Sequence, residues 1–259
     1  MSDYVEEKVS KYQAPALEKG LDILEYLSQR AMPLSQTEIA NGINKNPNEI
    51  YRMLVCLEER GYLTREEHSA KYMLSLKLYN LSHRHSPIDD IRRAAQYPMQ
   101  QLAINLKQSC HLSVLYHDQL MVICQAKSPS PIALSIEEGS LFPLVLTASG
   151  RTLLAFLPED ERLNILQRIT LYRNYSARKQ KAFLQALEEI RSQAVFVSNS
   201  ELSKGVTDIV VPIGNLDTGV LACLAVSILT TEYDENFTSE ELIAEVKQCS
   251  KNILARLGL

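Results

Sequence analysis

Leu34-Ser35-Gln36-Thr37-Glu38-Ile39-Ala40, followed by Asn46-Pro47-Asn48-Glu49-Ile50-Tyr51-Arg52-Met53-Leu54, is the stretch whose reading decides the fold. Ser35 is placed to cap a helix, Glu38 three residues on completes a capping box, and Leu34 can staple onto Ile39. Gly42 and Asn44 cut that helix short. Asn46 caps a second helix, with Pro47 at its first position and Glu49 returning the box. Ile50, Met53, Leu54 and Leu57 recur at helical spacing as its buried face, and Gly61 stops it. Two helices joined by a turn of about four residues have the spacing of a helix-turn-helix, here over residues 36–55. At roughly 100° per residue the opposite side carries Asn48, Arg52, Val55 and Glu59, with Glu49 and Tyr51 on the flanks. Asn can pair bidentately with adenine, Arg with guanine, and Val can touch a thymine methyl. The same pattern also fits a plain three-helix unit with a solvated face.

Upstream, Ala16 to Arg30 carries Leu17, Leu21 and Leu24 as one apolar stripe, flanked by Ile23 and Leu27. Residues 1–13 are read as a tail. Downstream, Tyr62 to Arg65 and Lys71 to Leu74 are short strands around a polar turn that also holds His68. A hairpin directly after a helix-turn-helix makes a winged helix over 14–75, with Arg65 and Lys71 placed to meet phosphate. Net charge gives no sign of a partner. The chain has 27 basic and 31 acidic residues, divided as 11 and 12 before Pro87 and 16 and 19 from it on. A nucleic-acid reader of this composition must use local geometry rather than bulk charge.

The rest of the chain reads as one further domain, in line with about two domains at roughly 150 residues each. The longest near-apolar run, Gly219 to Leu229, is too short to span a membrane and reads as a buried strand. The acidic start resembles no secretory signal. Five cysteines without a CxxC point away from disulfides and zinc and toward a cytoplasmic protein. Ile88 to Lys107 has helical periodicity, with Pro98 implying a kink or break. Strands are expected at Cys110 to Tyr116, Leu120 to Ala126, Ile132 to Ile136, Ala194 to Val197, Asp208 to Ile213 and Val220 to Ile228. Helices are expected at Thr147 to Phe156, Pro158 to Ile169, Ala177 to Ser192 and Ser239 to Leu257. That order is α+β with an antiparallel sheet.

Three groups of residues carry a family resemblance. They are Glu38-Ile39-Ala40; Tyr51-Arg52-Met53-Leu54 with the exit Leu57 to Leu63; and the wing strand Tyr72-Met73-Leu74. Together they resemble the winged helix of the IclR family of bacterial transcription regulators. Leu144 to Ala155 is similar to that family's A-x-G-[KR]-x-[LI]-L-A signature. The resemblance implies a helical linker over 76–87 and a GAF-like effector-binding domain over 88–259. It also implies dimers joined through the first helix and linker, often paired into tetramers. Pro47-Asn48-Glu49 departs from the Lys-Ser-Thr common there in the family, Val145 from a His, and Ala225 from a second Ser.

The candidate DNA-binding residues are Gln36, Thr37, Asn46, Asn48, Tyr51, Arg52, Arg65 and Lys71, facing a palindromic double-stranded operator. For the ligand, Thr147 and Ser149 bring hydroxyls to a helix N-terminus, while Ala148 and Gly150 leave room for close approach. The resemblance adds Glu201, Asp208 and Ser227 to the lining. The effector is expected to be an organic acid or sugar-derived metabolite, with no cofactor and no metal. Catalytic patterns are absent from the sequence. Cys110 and His111 are neighbours on a strand and point to opposite faces, His83 and His85 match no zinc spacing, and Ser149 lacks a nucleophile elbow. The expectation is a ligand-responsive transcription regulator that is not an enzyme. The alternatives are a ligand-sensing module without sequence-specific DNA binding, and a hydrolase using Ser149.

Overall fold

The computed structural model describes residues 14–30, 32–82, 87–214, 222–229 and 239–259. The tail over 1–13, His83, His85, the turn at 215–219 and the start of the expected strand at Val220 lie outside the described residues. The chain forms two units that divide between Ser86 and Pro87.

The first unit comprises α1 (Pro15–Ser28), α2 (Gln36–Gly42), α3 (Pro47–Glu59), β1 (Leu63–Arg65), β2 (Tyr72–Leu74) and α4 (Lys77–Ser82). Local chemistry sets its helix starts. Ser35 accepts from the Glu38 amide, and the Glu38 carboxylate accepts from the Ser35 amide. Asn46 accepts from the Asn48 amide, with Pro47 at the first position of α3. The core is Ile23, Leu27, Leu34, Ile39, Ala40, Ile50, Leu54, Leu63 and Tyr72. Leu34 is stapled twice, since its backbone also bridges Tyr72 and ties the start of α2 to the wing.

One expectation for α1 fails. Ile23 and Leu27 enter the core, whereas Leu17 and Leu21 are 63% and 47% exposed. A stripe that wide cannot all reach one partner helix, and α3 receives only the edge one turn apart.

The second unit is a six-stranded antiparallel sheet between two helical layers. Its elements are α5 (Pro87–Leu106), β3 (Cys110–Tyr116), β4 (Gln119–Ala126), β5 (Leu141–Pro143), α6 (Ala148–Phe156), α7 (Glu159–Arg168), α8 (Thr170–Arg173), α9 (Ala177–Gln193), β6 (Phe196–Asn199), β7 (Val206–Ile213), β8 (Ala222–Leu229) and α10 (Ser239–Leu257). The strand order is β5-β4-β3-β8-β7-β6. Alternation along β7 and β8 divides the side chains between the faces. Ile209, Val211, Ile213, Leu224, Val226 and Ile228 meet α5 and α10, while Val210, Cys223 and Ala225 meet α6 and α9.

A register shift between Leu112 and Ser113 inverts β4 partway along. Leu120 and Val122 therefore face the α6 side, whereas Cys124 and Ala126 face α5.

Three expectations for this unit are corrected. Residues 132–136 form no strand, and the edge strand is β5 instead. Ala194 closes α9 in the left-handed region (φ 51°), so β6 begins at Phe196. Helix α5 runs through Pro98 without a break, and the buried Ala94, Ala95, Met99 and Leu102 hold it against the sheet.

Candidate functional site

Two surfaces carry chemistry, one in each unit. In the first unit, α3 buries Ile50 and Leu54 completely and leaves Asn48, Arg52, Tyr51 and Glu59 exposed, with Val55 half-buried. The Arg52 side chain has no ion pair or hydrogen bond among the described residues. Gln36 Nε2 donates to the Pro47 carbonyl at 2.8 Å, clamping α2 to the start of α3. The Asn46 carboxamide oxygen is spent on its cap. Glu49 pairs chiefly with Lys19 of α1 at 2.8 Å, and this bond holds its carboxyl below the usual range, with the Asn46 amide contributing less.

Thr37 is exposed in the first turn of α2. In the wing, Arg65 Nε donates to the Ala70 carbonyl at 3.4 Å and lies over the Tyr72 ring, while Lys71 sits 3.7 Å from the Glu38 carboxylate. So Thr37, Asn48, Tyr51 and Arg52 are presented outward, whereas Gln36, Asn46, Arg65 and Lys71 also hold the fold.

The second surface is a cavity of about 180 Å³ on the α6 side of the sheet. The N-terminus of α6 forms one wall. Thr147 caps it by accepting from the Gly150 amide at 3.1 Å, and its own hydroxyl donates to the Pro143 carbonyl at 3.1 Å. Gly150 is required by close approach, because a Cβ there would lie 2.3 Å from the Leu144 carbonyl oxygen and 2.5 Å from its Cα. Ala148 and Ser149 line the cavity beside Thr147.

The sheet supplies the floor. Asp208 and Ser227 are paired across β7 and β8, and the Ser227 hydroxyl donates to Asp208 at 2.6 Å. Burial raises the Asp208 carboxyl, and the Ser227 bond opposes that rise. His111 lines the cavity from β3 and is only 7% exposed. Burial pushes it down to about 4.

Glu201 does not line the cavity. It pairs with Arg151, whose Nε also donates to the Val145 carbonyl at 3.0 Å and whose guanidinium lies over Phe183. This pair fastens the 200–205 segment to α6, and Ser200, Leu202 and Ser203 of that segment wall the cavity. Leu120, Leu134, Ile136, Phe142 and Val206 make the rest largely apolar, with Ser135 among them.

Thr147, Ala148, Ser149, Asp208 and Ser227 thus surround one cavity, while Glu201 acts from outside it. Sequence reasoning passed over His111 as a site residue. Strand alternation carried the signal, since it sets His111 opposite Ala225 and on the face away from Cys110. The 134–136 and 200–203 contributions come from segments without periodicity.

No hydrogen bond joins Ser149 to His111, or His111 to Asp208, among the described residues. Nor is there a group of three or more His, Cys, Asp or Glu side chains placed to hold a metal among them. Burial raises the thiols of Cys110, Cys223 and Cys249, the last two to about 12, so they are held as thiols.

Two positions along β3 from His111, Ser113 is fully buried and its hydroxyl has no partner among the described residues. A lone buried hydroxyl costs about 1–3 kcal/mol of desolvation. Ser113→Ala should therefore raise the unfolding free energy by about 1 kcal/mol, read as a higher urea midpoint at unchanged slope.

A winged helix with an outward-facing capped helix, coupled in one chain to a sheet domain whose largely apolar cavity carries a few polar side chains, defines a DNA-binding regulator with a ligand-binding domain. Comparison with known proteins gives the family. Residues 16–67 match the IclR helix-turn-helix domain and residues 87–255 the C-terminal domain of bacterial transcriptional regulators of the IclR type. The HTH-type transcriptional regulator KdgR of Escherichia coli is 29% identical over 224 residues, covering 86% of this chain and 85% of that one. The crystal structure of Thermotoga maritima IclR superposes with a TM-score of 0.69 at 25% identity, covering 94% of this chain and 98% of that one. An IclR homologue from Microbacterium hydrocarbonoxydans, complexed with 4-hydroxybenzoate, superposes with a TM-score of 0.77 at 18% identity, over 94% of this chain and 99% of that one. The chain belongs to the IclR family: it is a transcription regulator with a helix-turn-helix DNA-binding domain and a C-terminal effector-binding domain. Among the described residues no helix is long and apolar enough to cross a membrane.

Proposed function

We propose that the winged helix over 14–75 reads a palindromic operator through Asn48, Tyr51 and Arg52. Thr37, Arg65 and Lys71 approach the backbone, and Gln36 and Asn46 set the angle of the reading helix. The observation that carries this is the outward face of α3, capped at its N-terminus and presenting an unpaired Arg52. One such helix makes too few contacts for specific binding, so two half-sites are engaged by a homodimer or a dimer of dimers. The exposed Leu17 and Leu21 of α1, together with the exposed Leu76, Leu78 and Tyr79 at the 76–87 linker, are the apolar surface that supports dimerisation. Leu17→Glu combined with Leu21→Glu should halve the mass seen by analytical ultracentrifugation and weaken operator binding by about 100-fold or more.

The effector is an organic acid or sugar-derived metabolite held in the cavity of the 88–259 domain. Its oxyanion sits at the α6 N-terminus, where the Ala148 and Ser149 amides and the helix dipole favour negative charge. Its hydroxyls meet Asp208 and Ser227, while Glu201 holds the wall through Arg151. The 4-hydroxybenzoate of the Microbacterium protein is an organic acid with one such oxyanion end and one hydroxyl.

Effector binding shifts the balance between DNA-competent and DNA-poor arrangements by its differential affinity for them. The protein acts in the cytoplasm as a sensor rather than an enzyme, a reading supported by relatives that are transcription regulators.

The test is a thermal-shift screen of metabolites on the full chain, followed by operator titration with each hit. Hits should change operator affinity. Stabilising hits that leave operator affinity and oligomeric state untouched would contradict the coupling.

A further inference from the structure

Among the described residues, the cavity beneath α6 is lined by two ionisable side chains and by no lysine or arginine. Asp208 enters from β7 with a single hydroxyl partner, Ser227. His111 enters from β3, nine-tenths buried and without a partner among the described residues. What faces His111 from each side is neutral. Across the sheet stand Ala225 on β8 and Gln125 on β4, and along the walls stand Ser135, Thr147 and Ser149. Two acidic side chains outside the cavity lining are engaged elsewhere. Glu201 is tied to Arg151, and Glu138 is tied to Arg92 and to the Gln125 amide. The lining hydroxyls suit a hydroxylated guest, and the one acidic side chain among the described lining residues is Asp208.

We propose that the cavity takes up a hydroxylated monocarboxylate together with one proton, which lodges on His111. This rests on the reading of the cavity as the effector site. Taking a carboxylate into the cavity that already holds Asp208 would bury two acid groups with no cationic side chain among the described lining to balance them, which a low-dielectric surrounding disfavours strongly. Among the described lining residues the His111 imidazole is the one group that becomes positive on protonation, and it then offers two N–H donors instead of one. In the empty cavity burial holds His111 down to about 4, so at neutral pH it is unprotonated and its site is vacant for the incoming proton. A guest carboxylate beside the imidazole favours the imidazolium and raises that value in the complex. The sign follows from linkage. The complex binds more protons than the free protein at any pH between the two values, so affinity rises as pH falls through that window and levels off above it.

The experiment is isothermal titration calorimetry on the full chain, in buffers of different ionisation heat. The acid probes are D-gluconate, D-glycerate and 4-hydroxybenzoate, and the uncharged counterparts are sorbitol and glycerol. At least one acid should bind with uptake of close to one proton. Its Kd should rise by about tenfold per pH unit between pH 5 and 6. His111→Gln, which keeps an amide donor but cannot be protonated, should abolish the uptake and flatten the profile. The proton count on the unaltered protein decides the matter even if that variant fails to fold. Acids that bind without proton uptake, uptake that survives in His111→Gln, or binding of the uncharged polyols alone would overturn the proposal and leave the effector site standing. Failure of every probe to bind would overturn both.

Discussion

Gly150→Ala should abolish the response of operator binding to effector while leaving operator binding itself in place. A methyl group at this position would meet the Leu144 carbonyl oxygen at 2.3 Å and its Cα at 2.5 Å, and both are backbone atoms that no side-chain rotation can clear. The Thr147 hydroxyl, 2.7 Å from the same point, is the cap of α6. The first turn of α6 must move, and with it the cap bond to the Gly150 amide and the wall formed by Ala148 and Ser149. Overpacking and a lost cap together come to about 3 kcal/mol. For a unit of this size that is a fall in Tm of about 10 °C. The helix-turn-helix has its own core and shares none of these residues. Differential scanning calorimetry and operator titration with and without effector check the prediction. An unchanged Tm with a normal effector response would contradict the placement of the cavity at the α6 N-terminus.

Arg52→Ala should weaken operator binding by about 100-fold or more. A bidentate arginine contact to a base edge discriminates by about 1–3 kcal/mol, and a dimer makes it twice. The side chain is exposed on α3 and makes no ion pair or hydrogen bond within the described chain, so its removal leaves the unit's stability nearly unchanged. The variant should keep the melting profile of the parent and lose base preference at one position in each half-site. Leu54, fully buried on the reverse of the same helix, should behave oppositely. Leu54→Ala should cost about 2–5 kcal/mol in a core of nine residues and remove DNA binding by unfolding the unit. Circular dichroism melts separate the two kinds of loss.

The helix-turn-helix was legible in sequence because its signals are local. Ser35 with Glu38, and Asn46 with Pro47, determine helix starts within four residues, and the structure shows those caps formed. The antiparallel sheet was legible for a similar reason, since alternation along β7 and β8 is a property of each strand alone. What sequence did not reveal depends on contacts between distant segments. Leu17 and Leu21 have the spacing of core residues, and only the position of α3 shows that they lie outside it. Residues 132–136 have strand-like composition yet find no sheet edge, because β5 occupies the one beside β4. The register shift opposite Ser113 is invisible in the string of residues, although it decides which face of β4 meets the cavity. His111 became a site residue only when β8 supplied a small Ala225 across from it. Glu201 reads as cavity lining in sequence, and its partner Arg151, fifty positions away, turns it outward.

That the outward face of α3 reads DNA, in a chain whose net charge is −4, is the central proposal. The most direct measurement is the Kd of the full chain for a duplex selected from a random library, taken by fluorescence anisotropy across a salt series, for the parent and for Arg52→Ala. The parent should bind in the nanomolar range near physiological salt and lose affinity steeply as salt rises, and Arg52→Ala should be weaker by about 100-fold at every salt concentration. A parent chain that enriches no sequence from the library, or that binds its selected duplex equally well with alanine at position 52, would contradict the assignment of α3 as the reading helix.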